Sequence, residues 1–194
     1  MSMVISAASM MNRAYSGNLC YKDQNYRACS SNHEVMSADR KAMVRALDRL
    51  EKLDFDSEDE NDTKSIYHAV TSYLDIYNNA VSSAMGSDSS DIRRTGKNMK
   101  ALMNEYGSAL EEIGIQVKSD GTVKIDKNDL KKATTRQVSK VFGNEDYLSG
   151  MSRLMKKLRN QVNRESPKKA NVQETEKSTD LPSESVGRNL NLLV

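Results

Sequence analysis

The chain has 194 residues, of which 37% are hydrophobic and 29% charged, with no Trp and only two Pro. No apolar run approaches the roughly 20 residues of a membrane span, and two Cys are too few for a disulfide scaffold. Lys and Arg number 29 against 27 Asp and Glu, so a net charge of +2 gives no global electrostatic case for nucleic acid or an anionic membrane.

Nine Gly, eleven Met and two Pro favour helices over many short strands and tight turns. The apolar stretch Met3 to Met11 has its first basic residue, Arg13, after it, the wrong order for a secretory signal. It reads as an amphipathic or frayed helical start. The expected location is cytoplasmic by default; any export would proceed without a cleaved signal. Residues 12–33 are poor in aliphatics, so 1–35 is expected to be irregular or weakly helical. Cys20 and Cys29 have no neighbouring His or Cys at the spacing a zinc site needs, and reduced thiols are expected.

A helix is predicted from Ser37, which can cap it, with a stripe of Met36, Met43, Leu47, Leu50 and Leu53 at helical spacing. The run Asp54 to Asp62 holds six acids and no base and ends that helix. It lacks the Gly at position six and Glu at position twelve of a calcium loop. A second helix is predicted over 63–85, capped by Asp62 or Thr63, with Ile66, Val70, Tyr73, Tyr77, Ala80 and Ala84 on one face. A third is predicted over 91–113, with Ile92, Thr95, Met99, Leu102, Tyr106, Ala109 and Ile113 along it. The short link between them makes the pair an antiparallel hairpin of helices.

After Gly114 the apolar period falls from 3.6 to 2, and Asp120-Gly121 separates Ile115 and Val117 from Val123 and Ile125. That is a β-hairpin over about 115–125. Asp126 can cap a helix to about Ala133, and Thr134 or Thr135 a further turn to Phe142, stopped by Gly143. The last helix, about 146–163, places Leu148, Met151, Leu154, Met155, Leu158 and Val162 on one face. Beyond Ser166 the chain has no periodic apolar pattern until Leu190 to Val194, so 166–194 is expected to be a disordered tail. The fold class is therefore mainly α: an antiparallel helical bundle over 36–165 with one short hairpin.

Chemistry has no visible seat. His33 and His68 are the only histidines, and neither has a nucleophile placed for it by spacing; His68 is expected to be a partly buried or surface residue. No cofactor, metal or small-molecule substrate is expected. The interaction candidates are Arg153, Lys156, Lys157 and Arg159 on the basic last helix, for an acidic or phosphate-bearing partner, although no aromatic interleaves with these bases, so nucleic acid is disfavoured. The closing Leu190, Leu192 and Leu193 read either as a frayed end or as a docking peptide.

One stretch resembles a known family. Tyr77-Asn78 ends one run, Leu110 and Ile113-Gly-Ile115 end the next, and Asp120-Gly-Thr122, Ile125-Asp126 and Phe142 follow in order. Over about residues 63–155 this is similar to the C-terminal portion of flagellar filament-cap (hook-associated) proteins, with Val123 where that family usually has Leu. That family also carries large β-rich outer domains, and no β-rich pattern is read before or after the stretch in this sequence. The resemblance implies a stand-alone helical stem module and offers no catalytic residue. The leading expectation is a non-catalytic bacterial structural or interaction protein acting through helix–helix association, with itself or with a protein partner. The alternative is a cytoplasmic adaptor or regulator whose basic last helix binds an acidic or nucleic-acid partner.

Overall fold

The computed structural model describes residues 4–57 and 59–165. The tail from 166 to 194, with Leu190, Leu192 and Leu193, lies outside the described residues. The described chain is mainly helical with one antiparallel hairpin.

Four long helices form the body: α3 (Asn32–Leu50), α4 (Glu60–Met85), α5 (Ser90–Glu105) and α9 (Glu145–Glu165). Contacts run from α3 to α4, α4 to α5, α5 to α9 and α9 back to α3, so the four close into a ring. Each neighbouring pair is antiparallel. Asn32 at the start of α3 donates to the Gly86 carbonyl at the end of α4 (2.9 Å), and His33 Nε2 meets the Val162 carbonyl near the end of α9 (3.1 Å). Thr95 on α5 donates to Gln161 on α9 (2.9 Å), whose amide donates to the Asp91 carbonyl (3.1 Å). This is the arrangement of an up-and-down bundle, with the connection from α5 to α9 carrying everything between 106 and 144.

The segment expected to be irregular or weakly helical over 1–35 is described from residue 4. It holds α1 (Ala7–Ala14), a 3₁₀ turn (Leu19–Lys22) and α2 (Gln24–Cys29), and Met10, Ala14 and Tyr15 are buried in the core. The third helix also starts earlier than Ser37. Ser31 and Glu34 form a reciprocal capping box, so the Ser-x-x-Glu pattern at 31–34 is the start signal and Ser37 lies inside the helix. Likewise Asp59, not Asp62 or Thr63, caps α4, accepting from the Asn61 amide at 2.7 Å.

A buried ion pair fastens this region to the bundle. Arg27 donates from both terminal nitrogens to the two carboxylate oxygens of Asp39 on α3 (2.6 and 2.8 Å). The Tyr15 hydroxyl donates to the same carboxylate at 2.7 Å, and the Asn79 amide on α4 donates to that hydroxyl at 3.1 Å. Burial, reinforced by the Asp39 charge, pushes the Tyr15 phenol far up, so it remains a neutral donor. The Asp39 side chain is 1% exposed and that of Arg27 9%. A fork-on-fork pair this dry is costly to break from one side, because the surviving charge loses its partner without regaining water.

The helix expected to run from 91 to 113 is broken. α5 ends at Glu105, Tyr106 leaves helical geometry, and a short α6 covers Gly107–Glu111. Gly107 weakens the helix at this point. The Tyr106 ring packs edge-on against Tyr147 (5.2 Å), and its hydroxyl donates to Asn144 at 3.2 Å. Of the expected stripe, Ile92, Thr95, Met99 and Ile113 are buried, whereas Leu102, Tyr106 and Ala109 are only partly so.

The hairpin pairs β1 (Ile115–Val117) with β2 (Val123–Ile125), Val117 opposite Val123. Its turn is closed by Gly121 N–H to the Lys118 carbonyl (3.0 Å) and Lys118 N–H to the Thr122 carbonyl (2.8 Å). That pattern is a three-residue loop with Gly121 as its left-handed residue at φ +91°. Gly114, at φ +79°, is needed for a second reason: a Cβ there would lie 2.7 Å from Cβ of Asp129 on the next helix, α7 (Lys127–Lys132). The helix α8 (Thr135–Phe142) then brings Phe142 against Tyr73 and Tyr147.

Helix α4 holds the hairpin by its outer edge. Asn78 accepts from Val123 N–H at 2.7 Å and donates to the Val123 carbonyl at 2.9 Å, as a neighbouring strand would. The Tyr77 hydroxyl donates to the Gly121 carbonyl at 3.1 Å. A free strand edge is thereby satisfied by side chains of a helix.

Two outcomes test this description. Gly121→Val should destabilise the fold by about 1 kcal/mol or more, because a β-branched residue resists positive φ; an unchanged melting temperature would contradict the turn. Arg27→Met, which strands Asp39, should cost about 3–5 kcal/mol in urea denaturation; a loss below about 1 kcal/mol would show that the pair is solvated.

Candidate functional site

The basic residues on α9 lie along one wall of a groove between α3 and α9. Its volume is about 870 Å³, and Arg153, Lys156 and Arg159 line it. Lys157 lies outside the lining. The groove adds a residue that the sequence reading passed over, Arg40 on α3. Arg40 falls at a helical step between Met36 and Met43, within the apolar stripe, and that interruption is the signal that marks it. Asp39 interrupts the same stripe and is the buried partner of Arg27.

Arg40 is half-buried, and its guanidinium is held below the usual arginine range by burial and by the charge of Arg159. Both cations line the groove, Arg40 from α3 and Arg159 from α9. The ion pairs among the described residues are Arg27–Asp39, Lys64–Glu60, Lys132–Asp129 and Lys140–Glu112. None of these joins the described residues of the acidic 54–62 run to α9. The groove floor is apolar, from Val44, Leu148 and Met155, with Phe55 at its edge.

A second cleft, of about 550 Å³, lies between α1, α3 and α4. Arg13, Arg45, Arg49 and Lys52 share it with Asp48, Asp54 and Asp62. Arg45 is committed to the fold, donating to the carbonyls of Ala14 (2.7 Å) and Ser16 (2.9 Å) beyond α1. The Nε of Arg49 is buried without a protein partner.

A third groove, of about 450 Å³, runs between the start of α4 and helices α7 and α8, lined by Ile66, Tyr67, His68, Leu130, Ala133 and Val138 among others. Tyr67 packs edge-on against His68 (5.3 Å), and the Lys131 ammonium sits 5.7 Å from the Tyr67 ring centroid. Nδ1 of His68 is buried without a partner. Burial, then the Lys131 charge, holds the imidazole below its ordinary pKa. No Ser or Cys faces it in this groove.

Cys20 and Cys29 are free and exposed. Among the described residues no group of three His, Cys, Asp or Glu side chains could hold a metal ion, and no helix is long and apolar enough to cross a membrane. Comparison of the chain with family models, with curated proteins and with solved structures returns no match.

The His68 environment has a signed consequence for stability. The unfolded chain takes up a proton on this imidazole at higher pH than the folded one does. Its contribution to stability is therefore present above the ordinary imidazole range, near pH 6.5, and is lost as pH falls below it. His68→Gln should flatten the loss of stability between about pH 7 and 5.5 in urea titrations; an unaltered pH profile would contradict this reading.

Proposed function

We propose that the chain is a non-catalytic bacterial interaction module, similar to the stem of flagellar filament-cap proteins, that works by helix–helix association. The observation that carries the reading is the junction of α4 with the hairpin. Tyr77, Asn78 and Gly121 are among the residues on which the resemblance rests, and with Val123, where that family usually has Leu, they meet in one set of hydrogen bonds. The same motif therefore has one physical purpose, which is to lock a helical hairpin to a short β-hairpin. A rigid stem of this kind offers long antiparallel helices to a second copy or to a flagellin-like partner.

A second reading has its own support. A cytoplasmic adaptor or regulator that binds an acidic or nucleic-acid partner would need cations not consumed by the fold. Arg40, Arg153, Lys156 and Arg159 meet that requirement, since none is in an ion pair among the described residues.

Co-sedimentation with sheared flagellar filaments, together with light scattering of the purified chain, tests the leading reading. Association with the filaments, or a concentration-dependent oligomer, is the expected outcome. A chain that stays monomeric at about 100 μM, a concentration at which even weak specific contacts populate, and that leaves the filaments in the pellet alone would contradict it.

A further inference from the structure

The groove between α3 and α9 is charged unevenly along its length. The two helices are antiparallel, so Arg40 lies near the late α9 residues Lys156 and Arg159, whereas Asp48 and Glu51 at the end of α3 lie near Glu145 at the start of α9. One end is therefore cationic and the other anionic, over an apolar floor.

At the cationic end Arg40 of α3 and Arg159 of α9 line the same stretch of the groove, and the charge of Arg159 adds to burial in lowering the proton affinity of Arg40. Neither makes a hydrogen bond or ion pair among the described residues. Like charges without a counter-charge are unfavourable as they stand, and an oxyanion between them reverses the sign of the interaction. A guanidinium fork matches a carboxylate in geometry as well as charge.

We propose that Arg40 and Arg159 form a carboxylate clamp that seats an acidic residue of a partner peptide, with the peptide's following apolar side chain on the Val44–Leu148 floor. The inference rests on the second reading above and names its partner class. The groove, at about 870 Å³, is far larger than a lone oxyanion requires and has an apolar floor, which suits a peptide. A nucleic-acid backbone carries continuous negative charge and would meet Asp48, Glu51 and Glu145 at the other end.

The test is an amide chemical-shift titration of the full chain with the peptide Glu-Glu-Leu-Leu-Gly-Ser and its counterpart Lys-Lys-Leu-Leu-Gly-Ser. The acidic peptide should shift amides around Arg40–Val44 and Ser152–Arg159, and the lysine peptide should not. Arg40→Gln and Arg159→Gln should each weaken binding about five-fold or more, whereas Lys157→Gln, outside the groove, should change it less than about two-fold. Circular dichroism checks the fold of Arg40→Gln, and the exposed Arg159→Gln gives an independent arm. Inorganic phosphate binding as tightly as the peptide would replace the clamp by a free-anion site. An oligothymidylate binding more tightly than the peptide would overturn the peptide assignment and leave the basic-helix reading standing. Peptide binding that ignores both arginine substitutions would overturn the clamp. If no acidic ligand binds, the clamp and the basic-helix reading both fall.

Discussion

From Ile66 to Ala84 helix α4 has almost no side that faces water, and the rest of the fold answers that constraint. From Ala69 to Leu74 six successive residues are buried, and Ile76, Tyr77, Ala80, Val81 and Ala84 continue the pattern. Six residues at 100° each cover more than a full turn, so apolar neighbours are required in every direction. Helices α3 and α5 cover two sides, α1 a third, and α8 with the hairpin the remainder. At 26 residues, or about 39 Å, α4 is long enough to receive all of them.

The polar groups on α4 decide where its neighbours sit. Asn78 and Asn79 are half-buried in a helix otherwise filled by Ala, Val, Ile and Tyr, and a buried amide is costly unless bonded. Among the described residues the Asn78 side chain is satisfied by the backbone of Val123, which sets the hairpin's height on the helix. Asn79 reaches Tyr15 and, through it, Asp39 and Arg27, which places the N-terminal region against α3 and α4 together. Apolar contact alone would tolerate a slip of one turn; these bonds would not survive it.

The body of the fold could be read from periodicity because its helices are long and amphipathic. The hairpin, α7, α8 and α9 stand where their caps and turn residues put them: Asp126, Thr134 and Gly121 each act locally, within a few residues of the position that names them. Local pattern falls short where structure depends on distant partners. The N-terminal region has few aliphatics, and what orders it is an ion pair twelve residues apart in sequence with a tyrosine and an asparagine from elsewhere. The break at Tyr106 falls where Gly107 weakens the helix, but the edge-on contact of the Tyr106 ring with Tyr147 involves a partner that no local pattern announces. For the candidate site the basic face of α9 was readable as a charge run. Arg40 was not, because it comes from another helix and its meaning depends on what lies opposite.

The unused cations and the fold are linked through α3. Its inner face supplies the core and Asp39, and the edge beside α9 carries Arg40, so the groove inherits its rigidity from the bundle. Native-state amide hydrogen exchange reads whether α4 is the element on which everything else is assembled. Amides from Val70 to Ala80 should exchange only through global unfolding, with an opening free energy equal to that from urea denaturation. Exchange of this segment through a smaller opening, while α3 or α9 remained protected, would contradict it.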